Sequence, residues 1–435
     1  PYTAIHIEKT LAKKLKNTSV KIIERTMIVD LITSSQGRVA GAFGIDSEEN
    51  LVVFRAKVTI LTTGGGGEIF GVSVYPRGMT GDGYAMAYRI GAELVNMEFI
   101  QIGFGIVHPI KKGLFSDRAL IFHPHIYNKD RQRFIEQYIP KDVDYNRCLE
   151  VRSTHYPFTS RDESMYIDLA IYKEIKEGRG TEHGGIYVDF TDIPKERIAN
   201  DPRISEWYNW LLSNGVDICK QSLEVALCAH AFNGGIKINE KAEATLAGLY
   251  ACGEVAGGPH GADRLGGNMI AATQVFGARA GKYAAERAKD IEEVIINEEQ
   301  VKNEYENMLQ IKNRKKGYRP GEVLMRIQKV MWNNVLVSRN ERGLKGCITE
   351  LQQIYENELP NLFIENDGRL SEVFEIRNLL QLGQIVANAA LIRKESRGSH
   401  YRSDFPYTDD DHFSRSIFIR KEGTHIKYKW EALAC

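Results

Sequence analysis

A glycine-rich stretch in the second half of the chain, residues 248–273, carries the residue types best suited to chemistry. It begins as a short apolar run, continues through a loop with six glycines, and becomes helical in pattern at about Asn268. Glycines after a strand let the backbone approach a flat or phosphorylated ligand closely. A helix N-terminus adds unpaired N–H groups and the positive end of a dipole. Because Glu254, His260 and Arg264 lie in the same stretch, it predicts a ligand-binding loop rather than a plain surface connection.

Composition narrows the kind of protein that positions this loop. A chain of 435 residues is long enough for two or three domains. Lys+Arg and Asp+Glu are equal at 57 each, which disfavours nucleic acid as a partner. No apolar run approaches the roughly 18 residues that span a bilayer, and no signal-peptide pattern is visible. The six cysteines are scattered without a C-x-x-C pair, so we predict reduced thiols in the cytoplasm and no metal site.

Periodicity predicts the elements around the loop. Strand-like runs and a hairpin follow an initial helix, and a charged, glycine-poor region near the end has helical spacing throughout. The predicted helices cover 4–16, a segment that begins at Ser160, 207–212, 268–290, 301–311, 321–337, 341–359 and 371–392, and the predicted strands cover 20–23, 27–33, 39–45, 51–54, 58–63, 184–190, 416–420 and 426–430.

The letters GLYACGE and HGADRLGGN in the loop closely resemble the flavoprotein subunit of succinate dehydrogenase and fumarate reductase, and its relative L-aspartate oxidase. Residues 339–344, 375–380 and 393–406 match the same family, so the resemblance covers nearly the whole chain and is weakest at about 105–235. It implies an α/β fold: an FAD-binding Rossmann-like domain with an inserted α+β capping domain and a C-terminal helix bundle. The cofactor that it implies is FAD.

The resemblance also implies a division of the chain. The predicted parts are the first part of the FAD-binding domain (1–104), the capping domain (105–235), the second part of the FAD-binding domain (236–295), a helical domain (296–406) and a tail (407–435). The G-x-G-x-x-G fingerprint that opens the family's chains is absent from the first part, because the sixth position of its glycine run is Ile69. We therefore expect an N-terminal segment, or another chain, to complete the site for the ADP half of FAD.

Flavin contacts are implied at three turns and one helix start. Glu254 would accept hydrogen bonds from the ribityl hydroxyls, and the N–H groups at the helix start would stabilise the negative charge of reduced flavin. The full set of implied cofactor contacts is Thr63, Gly64, Gly65, Asp82, Gly253, Glu254, Arg264, Gly267, Asn268, Met269 and Ile270.

Catalysis and substrate binding are implied for four residues. Arg161, in a Ser-Arg-Asp triplet, would be the proton donor or acceptor. On the residues alone, it would instead pair with the acidic first turn of its own helix. His230 and Arg264 would clamp a substrate carboxylate, with His260 beside them, since a guanidinium suits bidentate contact with a carboxylate. The implied reaction moves a hydride between flavin N5 and a carbon next to a carboxylate.

The sequence departs from the family where substrate is bound. The family's Q-F-H-P-T reads Gln101-Ile102-Gly103 here, without the histidine, and a Thr-Glu pair is also missing. His108, His123 and His125 are candidates to substitute, although each reads first as an ordinary loop histidine. The departures leave three hypotheses: a fumarate reductase or succinate dehydrogenase type of enzyme, an L-aspartate oxidase-like C–N dehydrogenase, and a non-catalytic flavin electron-transfer subunit. An iron–sulfur protein, holding the chain at the inner face of a membrane, is the partner that the family implies.

Overall fold

The computed structural model describes residues 2–365, 368–423 and 425–432. The helices are α1 (Tyr2–Leu15), α2 (Asp82–Arg89), α3 (Tyr145–Arg152), α4 (Met165–Glu174), α5 (Lys195–Ala199), α6 (Ser205–Ser213), α7 (Asn268–Lys289), α8 (Glu298–Asn313), α9 (Pro320–Asn334), α10 (Glu341–Gln353), α11 (Leu370–Ile392) and α12 (Asp410–Phe413). The strands are β1 (Met27–Thr33), β2 (Val39–Ile45), β3 (Leu51–Arg55), β4 (Thr59–Leu61), β5 (Leu94–Val95), β6 (Ile100–His108), β7 (Gly113–Leu114), β8 (His125–Tyr127), β9 (Ile186–Asp189), β10 (Leu223–Phe232), β11 (Gly235–Lys237), β12 (Leu249–Ala251), β13 (Ala256–Gly257), β14 (Ser338–Arg339), β15 (Tyr401–Arg402), β16 (Arg415–Glu422) and β17 (His425–Ala432).

A parallel pair of short strands, β4 and β12, positions two of the glycine-rich turns. Leu249 pairs with Thr59 and Ala251 with Leu61, so both strands run in the same direction. Parallel strands end at the same edge of a sheet, which is where ligands bind in α/β folds. The turn after β4 and the loop after β12 therefore leave the sheet side by side.

An antiparallel sheet of order β7-β6-β10-β9-β8 forms the core of the region between residues 100 and 232. β10 lies in its centre and pairs with both β6 and β9, and nearly all of its residues are buried. A break in regular register falls between Ala229 and Ala231. This break changes the direction of the backbone at His230, near the end of the strand that leads back to the glycine turns.

The helical region packs against the rest of the molecule through α11. That helix is apolar along most of its 23 residues and contacts α2, α9 and α10. Just beyond it, the Arg393 guanidinium is 1% exposed, and Nε lies 2.7 Å from Glu98 Oε1. Its Nη atoms donate to Glu395 Oε1 (2.8 Å) and to two backbone carbonyls, at 2.9 and 2.8 Å. This buried network joins the charged segment after α11 to the strand region near residue 98.

Two predicted elements differ in the structure. Residues 20–23 form no strand, and Val20, Ile22 and Ile23 are exposed. An apolar run alone does not make a strand when no neighbour offers an edge to pair with. The helix predicted from Ser160 begins at Met165 instead. The carboxylate of Asp162 accepts a hydrogen bond from the Ser164 amide at 3.0 Å, which forms a tight turn ahead of the helix.

Candidate active site

Three glycine-rich turns meet at the ends of β4 and β12. A Cβ added at Gly65 would lie 2.6 Å from Glu254 Oε1, and one added at Gly83 would clash with the Thr63 hydroxyl. A Cβ added at Gly66 would lie 3.4 Å from the Cα of Gly81. Side chains at these positions would therefore push the three turns apart, which explains why the sequence uses glycine there.

The start of α7 presents an open surface beside these turns. Gly267 caps the helix in the left-handed conformation (φ 81°), and a Cβ added at Gly266 or Gly267 would meet no atom within 4 Å. The Asn268 and Ile270 amides already donate within the turn, to Leu265 and Gly267 carbonyls. Of the three N–H groups predicted to face the flavin, only that of Met269 is uncommitted within the described residues.

Glu254 and Asp82, both predicted flavin contacts, are already hydrogen-bonded. Glu254 Oε1 accepts from the Phe232 amide at 2.9 Å and from the Tyr75 hydroxyl, and burial raises the pKa of Glu254. Asp82 Oδ1 accepts from Thr80 Oγ1 and from Asn378 Nδ2, both at 2.7 Å, and burial raises its pKa too. Asp82 thus ties α2 to α11. Direct flavin contact by either carboxylate stays a prediction.

A cavity of about 490 Å³ lies between the region built on the antiparallel sheet, residues 114–161, and the glycine-rich loop at residues 263–266. Arg161 and Arg264, distant in sequence, both line it, as do Tyr156, Asp117 and Asp263. The remaining lining residues are Leu114, Phe115, Ser116, Arg118, Ser153, Thr154, His155, Pro157, Leu265 and Gly266. The structure therefore brings the predicted proton donor and the predicted carboxylate ligand to one cavity.

The Arg264 guanidinium is fixed in place before any ligand arrives. Nε donates to Gln101 Oε1 at 2.9 Å, and the Gln101 amide donates back to the Arg264 carbonyl at 3.1 Å. The residue is 9% exposed, and burial lowers its pKa, although Arg264 remains a cation at neutral pH. A buried cation at the wall of a cavity favours an anionic ligand.

His230 and His260 are neutral hydrogen-bonding groups beside this cation. Burial, reinforced by the charge of Arg264, lowers the pKa of each imidazole to about 4. Nδ1 of each ring is buried and has no hydrogen-bond partner among the described residues. Buried polar atoms in native proteins are nearly always paired, so these two nitrogens fit a ligand that the chain itself does not contain.

The depressed pKa of His230 predicts an acid-dependent loss of stability. Between about pH 4 and 6.5 the unfolded chain binds a proton at this ring and the folded chain does not, so stability falls as the pH falls through that window. We expect His230→Gln to remove ~3 kcal/mol of that decline in the free energy of unfolding. Denaturant unfolding at several pH values measures it. His412→Gln, at a side chain 77% exposed, is the control, and equal slopes in both variants would contradict the prediction.

Arg161 pairs with an acid of the glycine loop rather than with its own helix. Nη2 lies 2.7 Å from Asp263 Oδ2, and Nε donates to Thr159 Oγ1 at 3.1 Å. The Arg161 side chain is 68% exposed and that of Asp263 15%. Burial raises the pKa of Asp263 despite the neighbouring guanidinium. The alternative drawn from the residues alone, a pairing with the helix's acidic first turn, is therefore not what the structure shows.

Tyr156 is a cavity residue that the sequence did not reveal. Its hydroxyl is buried without a hydrogen-bond partner among the described residues, and its ring stands edge-on to His230 at 4.8 Å. A Cβ added at Gly103 would clash with that hydroxyl. The Tyr156 hydroxyl thus fills the space of the side chain that Gly103 lacks, the position where the resembled family has a substrate-binding histidine. No short motif marks such a replacement.

A buried acid–base chain lies behind Tyr156 and was also missed. Arg152 is fully buried, with Nη1 2.6 Å from Asp117 Oδ2 and Nε 2.8 Å from Asp168 Oδ2. Burial raises the pKa of Asp117 to about 7, and its Oδ1 has no partner among the described residues. Asp117 therefore gives the cavity a carboxyl that can change protonation near neutral pH.

These features fit a flavin and a carboxylate. Open space lies at Gly266 and Gly267, at the start of α7. His230, His260 and Tyr156 each have a buried polar atom without a partner among the described residues, and they lie close enough to Arg264 for its charge to act on their pKa values. His108, His123 and His125 do not line the cavity. His230 and His260 are not among its lining residues either, so replacement of the missing family histidine stays a prediction.

The FAD binding domain family matches residues 1–270, and the fumarate reductase flavoprotein C-terminal family matches residues 325–434. Over 425 residues the chain is 35% identical to a subunit of the CoM/CoB fumarate reductase of Methanothermobacter marburgensis, covering 95% of this chain and 72% of that one. It is 37% identical over 400 residues to an uncharacterized FAD-dependent oxidoreductase of Methanocaldococcus jannaschii, covering 90% and 68%. Mycobacterium smegmatis Sdh1 in complex with UQ1 superimposes with a TM-score of 0.83 at 30% identity, covering 99% and 71%.

Fold, cavity and matches together define an FAD-dependent oxidoreductase. The chain belongs to the family of fumarate reductase and succinate dehydrogenase flavoproteins. The predicted fold class and the predicted cofactor are thereby confirmed. Within the described ranges, no helix has the length and apolarity needed to cross a bilayer.

Proposed function

We propose that the chain interconverts a saturated and an unsaturated small carboxylic acid in the cavity between Arg161 and Arg264. The observation that supports this most is that a fixed, buried guanidinium and a second, more exposed one line the same cavity. FAD, when bound at the glycine turns and the start of α7, supplies the hydride chemistry. The residues of the chain bind the carboxylate, orient it and move the proton.

Arg264 is the proposed carboxylate ligand. Its hydrogen bonds with Gln101 fix the plane of the guanidinium, so little side-chain entropy is lost on binding. His230 and His260 are neutral at physiological pH, and each is free to donate or accept a hydrogen bond at Nδ1 within the described part of the chain. Arg264 is therefore the charged member of this group, and the two rings add neutral hydrogen bonds to the carboxylate.

Arg161 is the proposed proton donor, and Asp263 its proton source. A guanidinium has a pKa above ~12, so it gives up a proton only to a carbanion-like centre and must be reprotonated at once. Asp263 lies in ion-pair contact at Nη2, and burial raises the pKa of Asp263, which eases its own protonation. Because Arg161 is 68% exposed, the substrate must supply the desolvation that makes it reactive.

Asp263→Asn tests the proposed relay. The amide keeps the size of the side chain but cannot act as an acid or base toward Arg161, so we expect kcat to fall about 10- to 100-fold with little change in KM. The pH profile of kcat should also change, which loss of a purely structural contact would not produce. Asp290→Asn, at an exposed acid paired with Arg287, is the control. An unchanged kcat would exclude Asp263 from proton transfer.

Tyr156→Phe tests substrate binding at the Gly103 position. Removing a hydroxyl that bonds a carboxylate should raise KM for fumarate about tenfold. The hydroxyl has no partner among the described residues, so its removal leaves nothing unpaired and stability should be unchanged. Tyr127→Phe, on β8 and outside the cavity, serves as control. A KM equal to that of the parent chain would show that Tyr156 faces away from the substrate.

The reaction itself is tested with the FAD-loaded protein and an artificial electron donor. If the proposal holds, the bleached flavin is reoxidised by fumarate, or the oxidised flavin is bleached by succinate. Bleaching by L-aspartate, with release of ammonia after hydrolysis of the imine, would instead identify the C–N dehydrogenase. A flavin that responds to no carboxylate would identify a non-catalytic electron carrier and overturn the proposal.

We also propose that the electron-transfer partner is an iron–sulfur protein, through which the chain would associate with a membrane surface. The proposal is supported by the Methanothermobacter relative, which is one component of a multi-chain fumarate reductase. Co-purification of a protein with an iron–sulfur electron paramagnetic resonance signal would test it.

The division of the chain into five parts likewise stays a proposal, and limited proteolysis at the boundaries between those parts would test it.

A further inference from the structure

A second group of metal-binding residue types lies on the antiparallel sheet β7-β6-β10-β9-β8, outside the cavity between Arg161 and Arg264. His108, His183 and Glu224 each place one ligand atom within 4.8 Å of the other two. The two imidazole rings are stacked, with centroids 4.2 Å apart and planes 14° from parallel. We propose that these three residues bind one divalent transition-metal ion of the Zn²⁺ class.

The backbone brings the three residues together. Glu224 lies on the central strand β10 and is paired in register with His108 at the end of β6. His183 lies in the turn that leads into β9, the strand on the other side of β10. The ligands therefore come from three segments that are far apart in sequence, and for that reason no metal-binding spacing was visible there.

Charge supports a cation at this position. The Glu224 side chain is 7% exposed, and within the described residues its ion-pair contact is to His183, whose Nδ1 lies 3.0 Å from Oε1. A buried carboxylate normally has a full positive charge beside it. The geometry supplies two imidazole nitrogens beside that carboxylate, the ligand types that bind a transition-metal cation.

The surroundings resemble the outer shell of a metal site. Thr181 Oγ1 accepts from the Gly185 amide at 3.1 Å and donates to the Glu224 carboxylate, which fixes the direction of that carboxylate. Glu182 Oε1 lies 4.0 Å from His183 Nδ1 on an exposed side chain, which leaves a fourth position to it or to water. Lys111 and Lys112 line a neighbouring cavity with His183. The Lys112 ammonium is held on the Tyr75 carbonyl at 2.7 Å.

Imidazole with carboxylate is a donor set for Zn²⁺ and related ions rather than for Ca²⁺ or Mg²⁺. Zn–ligand distances are about 2.0–2.2 Å, which places ligand atoms about 3.3 Å apart in a tetrahedron. The ligand atoms must therefore move closer together, and His108 is exposed and makes no side-chain hydrogen bond within the described residues, so its ring can rotate at little cost.

The test uses the tag-free full chain, stripped with a chelator and titrated with Zn²⁺ by calorimetry and with Co²⁺ by absorption. We expect one equivalent to bind, with tetrahedral Co²⁺ bands and a higher unfolding temperature. Affinity should fall more than about tenfold in His108→Ala and His183→Ala. The matched control is His125→Ala, at a histidine 3.3 Å from Asp192 without a third ligand among the described residues, and it should bind as the parent chain does.

If His183→Ala fails to fold, His108→Ala and Glu224→Gln decide the matter, because the first is exposed and the second keeps the shape of its side chain. Absence of saturable binding, or equal binding in the parent chain and His108→Ala, would overturn the proposal. None of these residues lines the cavity between Arg161 and Arg264. Failure of the metal proposal therefore leaves the proposed redox function untouched.

Discussion

Arg161→Lys should reduce turnover with fumarate by about a thousandfold while leaving the flavin bound. Lysine keeps the positive charge, but its single nitrogen cannot span Asp263 and a substrate carbon at once, as the guanidinium can. Steady-state kinetics and the flavin absorption spectrum of the same sample measure the two effects separately. The substitution acts on a side chain that is 68% exposed, so unfolding is not expected to confuse the result.

The matched control for that substitution is Arg147→Lys. The Arg147 side chain is 63% exposed, and its Nε lies 3.2 Å from Glu163 Oε1. Arg147 is thus about as exposed as Arg161 and also forms an ion pair, but it lies outside the cavity. We expect its activity to equal that of the parent chain. Full activity in Arg161→Lys would remove this arginine from the chemistry and leave the carboxylate clamp as the only support for the proposed reaction.

Arg393→Leu should lower the free energy of unfolding by about 3–5 kcal/mol. It would leave Glu98 buried without its ion-pair partner and Glu395 with Arg397 alone, together with two carbonyls that now accept from the guanidinium. Burial already raises the pKa of Glu98, so the loss of its partner would force that carboxyl to take up a proton. Thermal and denaturant unfolding measure the change.

Arg420→Leu is the comparison for Arg393→Leu. Arg420 forms an exposed pair with Glu422 at 3.7 Å, and such pairs contribute ~1 kcal/mol or less. A difference of less than ~1 kcal/mol between the two variants would show that the segment after α11 is held by packing alone.

The sequence predicted the elements whose pattern is local. Apolar spacing predicted α8 to α11 and the β1–β2 hairpin, because the periodicity of a buried helix face or of a strand is visible within a short window of sequence. It failed at residues 20–23, where pairing depends on a partner strand, and at the start of α4, where Asp162 forms a turn instead of capping the helix. The first error concerns a contact with a distant strand. The second concerns a local choice between a tight turn and a helix start, which the residue types allow equally.

The candidate site shows the same division. Arg264, Arg161 and His230 were predicted from the resemblance to the family. Tyr156, Asp117 and Asp263 were not, because their roles arise from contacts across the fold: a hydroxyl over Gly103, a buried pair with Arg152, and an ion pair with Arg161. Asp263 lies within the recognised motif, but nothing in that motif says which cation it meets.

The ion pair between Arg161 and Asp263 joins the capping region to the glycine loop, and one side of it is open to water. Dissolved ions screen such exposed contacts within a Debye length of about 8 Å at physiological ionic strength. This contact between the two segments is therefore weaker in brine than in dilute buffer. The ionic strength of the surroundings thus affects how firmly this ion pair holds the two segments together.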